Sequence, residues 1–206
     1  SWYGYLPLIR GRHKKILDLR TSALSFQKVI VAQVLCMNKQ QEKALYTYLI
    51  LFVMVFVYHA FSFGQLKYLI PAFLLAMPYA LQGKVKLRLS LKDTGIGIIT
   101  SALLLIPFWL IMSQGWKSFS LPPANIILFQ LIGISLPEEV YFRGFLQESI
   151  GNNIKGLLMV SILFSIAHLP QFIFYNDIYP LLTFFPSLAM GFLYLKTSNI
   201  LPSTIF

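Results

Sequence analysis

The fold of this chain is decided by its apolar run Ala124–Gln147, which reads ANIILFQLIGISLPEEVYFRGFLQ. The run is long enough for a bilayer-spanning helix, because such a helix needs about 20 mostly apolar residues. Three ionisable residues, Glu138, Glu139 and Arg143, nevertheless lie within it. An ionised residue at mid-membrane depth costs about 2.5–3.5 kcal/mol even on the permissive insertion scale. Three of them in one run therefore need a compensating reason.

The composition places the whole chain in the membrane class. Of its 206 residues, 57% are apolar, 16% aromatic and only 12% charged, whereas about a quarter of residues carry charge in a soluble domain. Six apolar runs, with the start of a seventh at Ile200, predict an all-α polytopic transmembrane helical bundle of about six to seven spans. These runs are Ala44–Phe63, Leu66–Leu81, Thr94–Ser113, Ala124–Gln147, Gly156–Tyr175 and Ile178–Leu195.

The N-terminal part differs from the rest in charge. Residues 1–43 form a basic segment that precedes the predicted transmembrane domain, residues 44–206. Within this segment Leu24–Met37 is apolar but too short to span, and we predict an interfacial helix there. If the N-terminus is cytoplasmic, the inside loops carry 14 of the 17 Lys and Arg residues, and the outside loops carry only Lys67 and Lys117. This asymmetry predicts a multi-pass integral membrane protein with a cytoplasmic N-terminus.

Several kinds of site are excluded by residue type. A single cysteine, Cys36, excludes a disulfide framework and a cysteine-rich metal site, and three histidines leave little room for a His-only centre. We therefore predict no metal and no cofactor. The net charge of +10 does not predict a nucleic-acid partner, because the basic residues border the apolar runs, where a membrane surface explains them better. Gly95-Ile-Gly97 is too short for a dinucleotide loop and is more typical of a close contact between helices.

The charged residues of the run Ala124–Gln147 divide into a pair and a single carboxylate. Glu139 and Arg143 are one helical turn apart, with the acid N-terminal to the base, which favours an ion pair. Such a buried pair can be purely structural. Glu138 points about 100° away from the pair and has no partner within its own helix. It is the carboxylate left free for another role.

A second polar anomaly, His168, lies in the fifth apolar run. Pro170 is expected to release the carbonyl of Ile166 from the helix ladder, which would place an acceptor near the imidazole. Counted from the cytoplasmic ends of their runs, Glu138 and His168 lie about 15 and 18 Å deep, so antiparallel neighbours would bring them to nearly one level. In a water-accessible cavity the carboxylate can take a proton from water, while the histidine orients the water or stabilises the oxyanion.

These residues resemble the motifs of a known family, the CAAX prenyl endopeptidase and bacteriocin-processing (CPBP) intramembrane proteases. Its first motif, Glu-Glu-x-x-x-Arg, matches Glu138, Glu139 and Arg143, and its second, Phe-x-x-x-His, matches Phe164 and His168. The resemblance implies a metal-independent glutamic protease in which Glu138 activates the water, helped by His168. Glu139 and Arg143 complete the candidate catalytic set. The implied substrate is a peptide or a lipidated protein.

The resemblance covers residues 124–206, whereas the first half of the chain matches only in being membrane-spanning. The family's third motif, a second histidine followed four residues later by Asn or a similar side chain, is absent before the chain ends at Phe206. Thr197–Phe206 is similar to the segment that leads into that motif. We therefore expect the chain to stop just short of a histidine-bearing helix, and the 206-residue form to have little or no activity.

The first predicted function is an intramembrane endopeptidase that hydrolyses peptide bonds of a membrane-associated protein or peptide with glutamate-activated water. Two alternatives stay open. An ion- or proton-coupled transporter would use the same ionisable residues as a relay, although the other spans carry few polar residues. A non-catalytic scaffold or immunity protein of the same fold is favoured by the missing third motif. The lipid bilayer is the expected partner. The sequence does not indicate which oligomeric state the protein adopts.

Overall fold

The structure, a computed structural model, describes residues 37–113 and 122–206. Within these two ranges the chain forms helices and connecting turns, with no strand. The all-α class predicted from the sequence is confirmed for this part of the chain. Apart from Met37, the predicted interfacial helix Leu24–Met37 lies outside the described residues.

Each predicted apolar run is helical in the structure. The helices are α1 (Lys39–Phe61), α2 (Leu66–Gln82), α3 (Leu91–Ser113), α4 (residues 124–150), α5 (Ile154–Ala167), α6 (Leu169–Tyr175), α7 (Phe184–Thr197) and α8 (Ile200–Ile205), with a 3₁₀ turn, Tyr179–Thr183, before α7. The predicted fifth run is divided between α5 and α6, which meet at His168. The predicted sixth run begins as the 3₁₀ turn and continues as α7.

Among the described residues, two helical stretches are long and apolar enough to cross a membrane, namely α1 and Ile154–Tyr175. They are 23 and 22 residues long. Helix α2 is apolar but shorter, with 17 residues, and it continues through Pro71 and Pro78. These helices support a membrane protein, and the total of six to seven spans stays a prediction.

Lys43–Phe206 forms one compact unit, which contains every candidate site residue. Ahead of it, the side chain of Asn38 caps the first turn of α1 by accepting hydrogen bonds from the backbone N–H groups of Gln40 and Gln41. An Asn in this position satisfies amides that have no partner within the helix.

Helix α4 is the central element of the bundle. It packs against α2, α5, α7 and α8, and it reaches α1 through the hydroxyl of Tyr141, which donates to Thr47 Oγ1 at 3.0 Å. With neighbours on so many sides, the whole stretch Val140–Gln147 is buried. Arg143 in this stretch and Glu139 just before it therefore lie in the protein interior, whereas Glu138 is partly buried.

Helix α3 reaches this assembly through α8, and one glycine permits the contact. A Cβ atom at Gly97 would lie 2.8 Å from the carbonyl oxygen of Pro202, whereas a Cβ at Gly95 would have no heavy atom within 4 Å. The close helix contact predicted for Gly95-Ile-Gly97 is thus confirmed for Gly97 and is wrong for Gly95.

Candidate active site

The two adjacent glutamates lie on a short α-helical turn of α4. This turn, Leu136–Glu139, separates two π-helical stretches, Phe129–Ser135 and Val140–Gln147. Pro137, its second residue, has no N–H group and cannot donate to a carbonyl in the preceding turn. The hydrogen bonding before it must rearrange, which accounts for the first π-helical stretch. Such π turns are rare and occur frequently at functional sites.

Glu139 and Arg143 form the ion pair that their spacing predicts. Arg143 Nε donates to Glu139 Oε2 at 3.3 Å, and the exposed fractions of the two side chains are 0% for Arg143 and 1% for Glu139. On its other side, Arg143 Nη2 donates to Ser187 Oγ of α7 at 2.9 Å. The guanidinium group therefore joins α4 to α7 inside the protein.

Gln147 extends this polar contact by another turn towards the end of α4. Its Nε2 donates to the carbonyl of Gly191 in α7 at 3.2 Å and to Asn152 Oδ1 at 3.0 Å. The contacts Arg143–Ser187 and Gln147–Gly191 both join residues 44 apart in sequence. A constant separation means that α4 and α7 run parallel and in register at this contact.

His168 lies at the junction of α5 and α6. Its backbone N–H donates to the carbonyl of Ser165 at 3.1 Å, one residue short of its α-helical partner, Phe164. The carbonyl of Phe164 instead pairs with Nδ1 of the imidazole at 2.9 Å. The acceptor predicted beside the imidazole was the carbonyl of Ile166, and that prediction is wrong, because the tightened last turn of α5 brings the carbonyl of Phe164 to the ring.

This hydrogen bond determines which imidazole nitrogen is available for chemistry. A carbonyl can only accept, so Nδ1 must carry the proton that it donates to Phe164. In the neutral ring, Nε2 of His168 is then an acceptor with a free lone pair. The spacing Phe-x-x-x-His is what places the carbonyl of Phe164 within reach of the ring.

The ring of Phe164 connects α5 to α4. It packs edge-on against Phe142 with 4.8 Å between centroids, and it lies 4.9 Å from the ring of His168. The guanidinium carbon of Arg143 is 5.6 Å from the Phe164 centroid. Both motifs thus meet at Phe164, which is buried with an exposed fraction of 4%.

The contact between Phe142 and Phe164 sets the levels of the two candidate catalytic residues. Helices α4 and α5 are consecutive, are joined by a short turn and pack against each other, so they are antiparallel. Glu138 precedes Phe142 by one turn and His168 follows Phe164 by one turn, each displaced by about 6 Å in the same direction. This count gives Glu138 and His168 similar levels in the bundle, and their meeting in one site stays a prediction.

Glu138 differs from its neighbour Glu139 in having no partner. It is partly buried, and no described residue donates a hydrogen bond to its carboxylate or forms an ion pair with it. Among the described residues, no three His, Cys, Asp or Glu side chains are grouped as a metal site requires. The predicted independence of metal stays a prediction for chelation to test.

A known protein family matches the part of the chain that holds both motifs. Residues 120–206 match the family described as type II CAAX prenyl endopeptidase Rce1-like. The match supports the assignment of this part of the chain to the CPBP family. Proteins of this family are membrane-embedded, and the match supports a CAAX-type intramembrane protease. No curated protein and no solved structure matches the chain.

The CPBP match covers α4 to α8, which hold both sequence motifs. Two residues in this region contact motif residues and were not predicted, Phe142 and Ser187. A third, Gln147, was also not predicted and joins α4 to Gly191 one turn beyond Arg143. Gln147 had a signal in the sequence, since Glu139, Arg143 and Gln147 recur every four residues on one helical face. Ser187 had none, because it meets Arg143 only through the packing of α7.

Proposed function

We propose that this chain is an intramembrane endopeptidase in which Glu138 activates the hydrolytic water. The observation that carries the proposal is the unpartnered carboxylate of Glu138, which lies at the level of an imidazole with a free Nε2. A general base needs a proton acceptor that is not already engaged, together with a second group that positions the water. Glu138 and His168 are suited to these two roles.

The reaction follows from these roles. Glu138 takes a proton from water, and the resulting hydroxide attacks the carbonyl carbon of the scissile peptide bond to form a tetrahedral intermediate. The protonated Glu138 then gives its proton to the amide nitrogen as the C–N bond breaks. Both peptide products leave, and the carboxylate is regenerated without any cofactor.

The tautomer of His168 favours one of the two roles that the sequence left open. Because Nδ1 carries its proton to Phe164, the neutral Nε2 can accept a hydrogen bond from water but cannot donate one to an oxyanion. We therefore assign His168 to orienting the water. Glu139 and Arg143 act as positioning residues, since their ion pair and the bond to Ser187 hold the motif turn against α7.

The experiment is peptide cleavage in lipid nanodiscs by the purified protein, both as the 206-residue chain, for which the sequence predicts little activity, and with any residues that its reading frame adds after Phe206. The substrate pair is a peptide that ends in a prenylated cysteine and three further residues, and the same peptide without the lipid. Glu138→Gln should lower the cleavage rate by about 10²–10⁴-fold, because the amide keeps the shape of the side chain but cannot accept the proton. Glu148→Gln is the matched control in the same helix and should cleave at the wild-type rate.

Measurable and equal cleavage rates in wild type and Glu138→Gln would refute the role of Glu138. Full activity in EDTA is expected, because the proposed reaction uses only side chains of this chain. Activity that is lost in EDTA and recovered with zinc would replace the glutamic mechanism by a metal-dependent one. The lipid-free peptide tests whether the substrate must be prenylated.

We also propose that the chain crosses the membrane several times with its N-terminus in the cytoplasm. The basic residues support this topology, and Cys36, the single cysteine, provides a probe. A membrane-impermeant maleimide should label Cys36 only after the membrane is opened. In a Cys36→Ser background, a cysteine replacing Lys67 should be labelled in intact cells. The opposite pattern would reverse the orientation.

A further inference from the structure

The segment that joins α2 to the first turn of α3 combines exposed leucines with basic residues. Residues 84–92 read KVKLRLSLK, and we call them the basic loop. Leu89 and Leu91 are exposed to 93% and 95%, the highest values among the large apolar side chains that the structure describes, and Leu87 is also exposed. Each of these leucines has a basic residue beside it in the sequence.

The backbone of the basic loop is fixed to the protein core. Asn199, which is fully buried, accepts a hydrogen bond from the N–H of Arg88 at 3.0 Å and donates one to the carbonyl of Arg88 at 2.8 Å. The N–H of Ile200 donates to the carbonyl of Lys86 at 3.0 Å, and Val85 packs against the apolar cluster that contains Ile200. These contacts fix the path of the loop and leave its leucines outside.

The acidic residues near the basic loop already have partners. Asp93 accepts a hydrogen bond from Asn199 Nδ2 at 2.9 Å, and Glu148 accepts one from Lys86 Nζ at 2.9 Å. The other basic side chains of the loop are exposed and form no ion pair within the described part of the chain: Lys84, Arg88 and Lys92. Three cations are therefore available to an anion from outside the protein.

The basic loop lies at one end of the bundle. Helix α2 ends just before the loop, and α3 begins within it. Lys86 bonds to Glu148 at the end of α4, and Arg88 bonds to Asn199 just after the end of α7. Because a short turn joins α4 to α5, the beginning of α5 lies at this end as well.

Further basic residues lie at the same end of the bundle. Helix α1 begins here because it runs parallel to α5 and α6, since Tyr48 and His59 contact residues 115 and 116 positions further along the chain. Exposed lysines of α1, α5 and α7 thus join the loop at this end: Lys43, Lys155 and Lys196. At the opposite end, the charged side chains described from Lys43 onwards are Lys67 and Asp177. Such an asymmetry is typical of the end that lies at the cytoplasmic leaflet, whose lipids carry negative charge.

We propose that the basic loop binds anionic phospholipid headgroups and inserts Leu89 and Leu91 at the boundary between headgroups and acyl chains. Exposed apolar side chains mark sites of interaction, and lipid satisfies the leucines and the cations together. An acidic protein segment would also offer anions, but headgroups surround this end of any membrane-embedded bundle. Because the backbone of the loop is already fixed, binding requires little further ordering. The proposal concerns the choice of lipid and does not depend on the hydrolytic mechanism.

Spin labelling of one loop residue tests the insertion. In a Cys36→Ser background, Leu89→Cys is labelled with a nitroxide, and its collision rates with oxygen and with a neutral, water-soluble nickel complex are compared. The nanodiscs contain either phosphatidylcholine alone or an equal mixture of phosphatidylcholine and phosphatidylglycerol. We expect the anionic mixture to make the label less accessible to nickel and more accessible to oxygen. A label at Lys155→Cys, outside the loop, should give the same rates in both lipids.

Two results of this comparison would overturn the proposal. A label at residue 89 that stays accessible to nickel in both lipids would exclude insertion and would favour an acidic protein segment as the partner. Equal shielding in both lipids would exclude a role for anionic headgroups. Glu138→Gln should leave the lipid dependence unchanged, so failure of the proposed hydrolysis does not affect this test.

Removal of charge tests the headgroup contact. Replacing Lys84, Arg88 and Lys92 together by Gln should weaken binding of the loop to the anionic surface by about 10²-fold, since each basic residue contributes about fivefold. The label at residue 89 should then behave in the anionic mixture as it does in phosphatidylcholine. The matched control removes three exposed charges from the same end of the bundle but outside the loop, by replacing with Gln the residues Lys43, Lys155 and Lys196.

Unchanged shielding in the loop variant would overturn the proposal. An equal loss of shielding in the control would also overturn it, because net charge and not the loop would then attract the lipid. If the loop variant does not fold, salt decides the matter with the natural charges in place. About 1 M salt screens exposed charges to within about 3 Å, so it should restore access of nickel to the label in the anionic mixture. Shielding that persists in this salt would contradict a headgroup contact.

Discussion

Glu138 and Glu139 are adjacent in the sequence, yet α4 turns them towards different surroundings. Glu139 lies on the face that meets α7, where Arg143 pairs with it and binds Ser187. Glu138 lies on the face of Phe142, which packs against Phe164 of α5. A residue step of about 100° around the helix separates an anchored carboxylate from a free one. The contrast teaches that a central helix can hold a paired and an unpaired carboxylate side by side, because only one of its faces offers a cation.

The largest effect on stability should come from the face of α4 that meets α7. Arg143→Ala leaves the carboxylate of Glu139 buried without its partner, which typically costs about 3–5 kcal/mol of folding stability. Thermal unfolding in detergent should reveal this loss together with a lower folded yield. Replacing both members of the pair by Met should be less harmful than Arg143→Ala, since no uncompensated charge remains. Wild-type stability of Arg143→Ala would show that the pair does not anchor α4.

His168 stands on the other side of the comparison, with Glu138, and His168→Ala should lower the cleavage rate more than the folding stability. In the proposed mechanism the imidazole positions the water, and misplacement of such a group costs about 10²-fold in rate. Stability should change by only about 1 kcal/mol, the net value of the hydrogen bond to Phe164. Single-turnover cleavage and thermal unfolding measured on one preparation check both parts. A large loss of stability at an unchanged cleavage rate would show that His168 has a structural role and does not position the water.

Phe164 contacts both Phe142 and the guanidinium of Arg143. The loss of stability in Phe164→Leu should therefore lie between the losses in Arg143→Ala and His168→Ala. The variant loses the ring contacts with Phe142 and His168, and aromatic pairs contribute about 0.5–1.5 kcal/mol beyond their buried area. The carbonyl that holds His168 belongs to the backbone and survives the change. We expect lower thermal stability with the tautomer of His168 intact, which ¹⁵N NMR of the imidazole would detect. A change of tautomer would mean that the ring of Phe164, and not its carbonyl, sets the imidazole.

The smallest effect should come from the third glutamate of α4. Glu148 accepts from Lys86 Nζ and from the hydroxyl of Tyr194, each at 2.9 Å, at the end of the helix. The side chain of Lys86 is 50% exposed, and an exposed pair contributes about 0.2–1 kcal/mol. Lys86→Met should therefore lower stability by no more than this in thermal unfolding, and 1 M salt should weaken the wild-type pair. A loss as large as that of Arg143→Ala would abolish the distinction between buried and exposed pairs.

Local periodicity explains which parts of the site the sequence predicts. The ion pair of Glu139 and Arg143 and the contact of Phe164 with His168 each join residues one turn apart. A helix brings such residues together whatever surrounds it. The equal levels of Glu138 and His168 also follow from counting along two consecutive helices.

Other features depend on contacts that a helical pattern does not contain. Gly97 and not Gly95 meets α8, because only the face of α3 bearing Gly97 is turned towards Pro202. The acceptor beside His168 is the carbonyl of Phe164, because the last turn of α5 tightens before Pro170. Neither choice is encoded by spacing alone.

By itself the sequence determined that the described chain is helical, where its helices lie, and which carboxylate has a partner within its own helix. Apolar runs and one-turn spacings are properties of a single segment, and backbone geometry converts them directly into structure. Only the tertiary structure decided that Ser187 anchors Arg143 and that Gly191 lets α7 come close to Gln147. Those residues are 44 positions from their partners, and the packing of α7 against α4 brings them together.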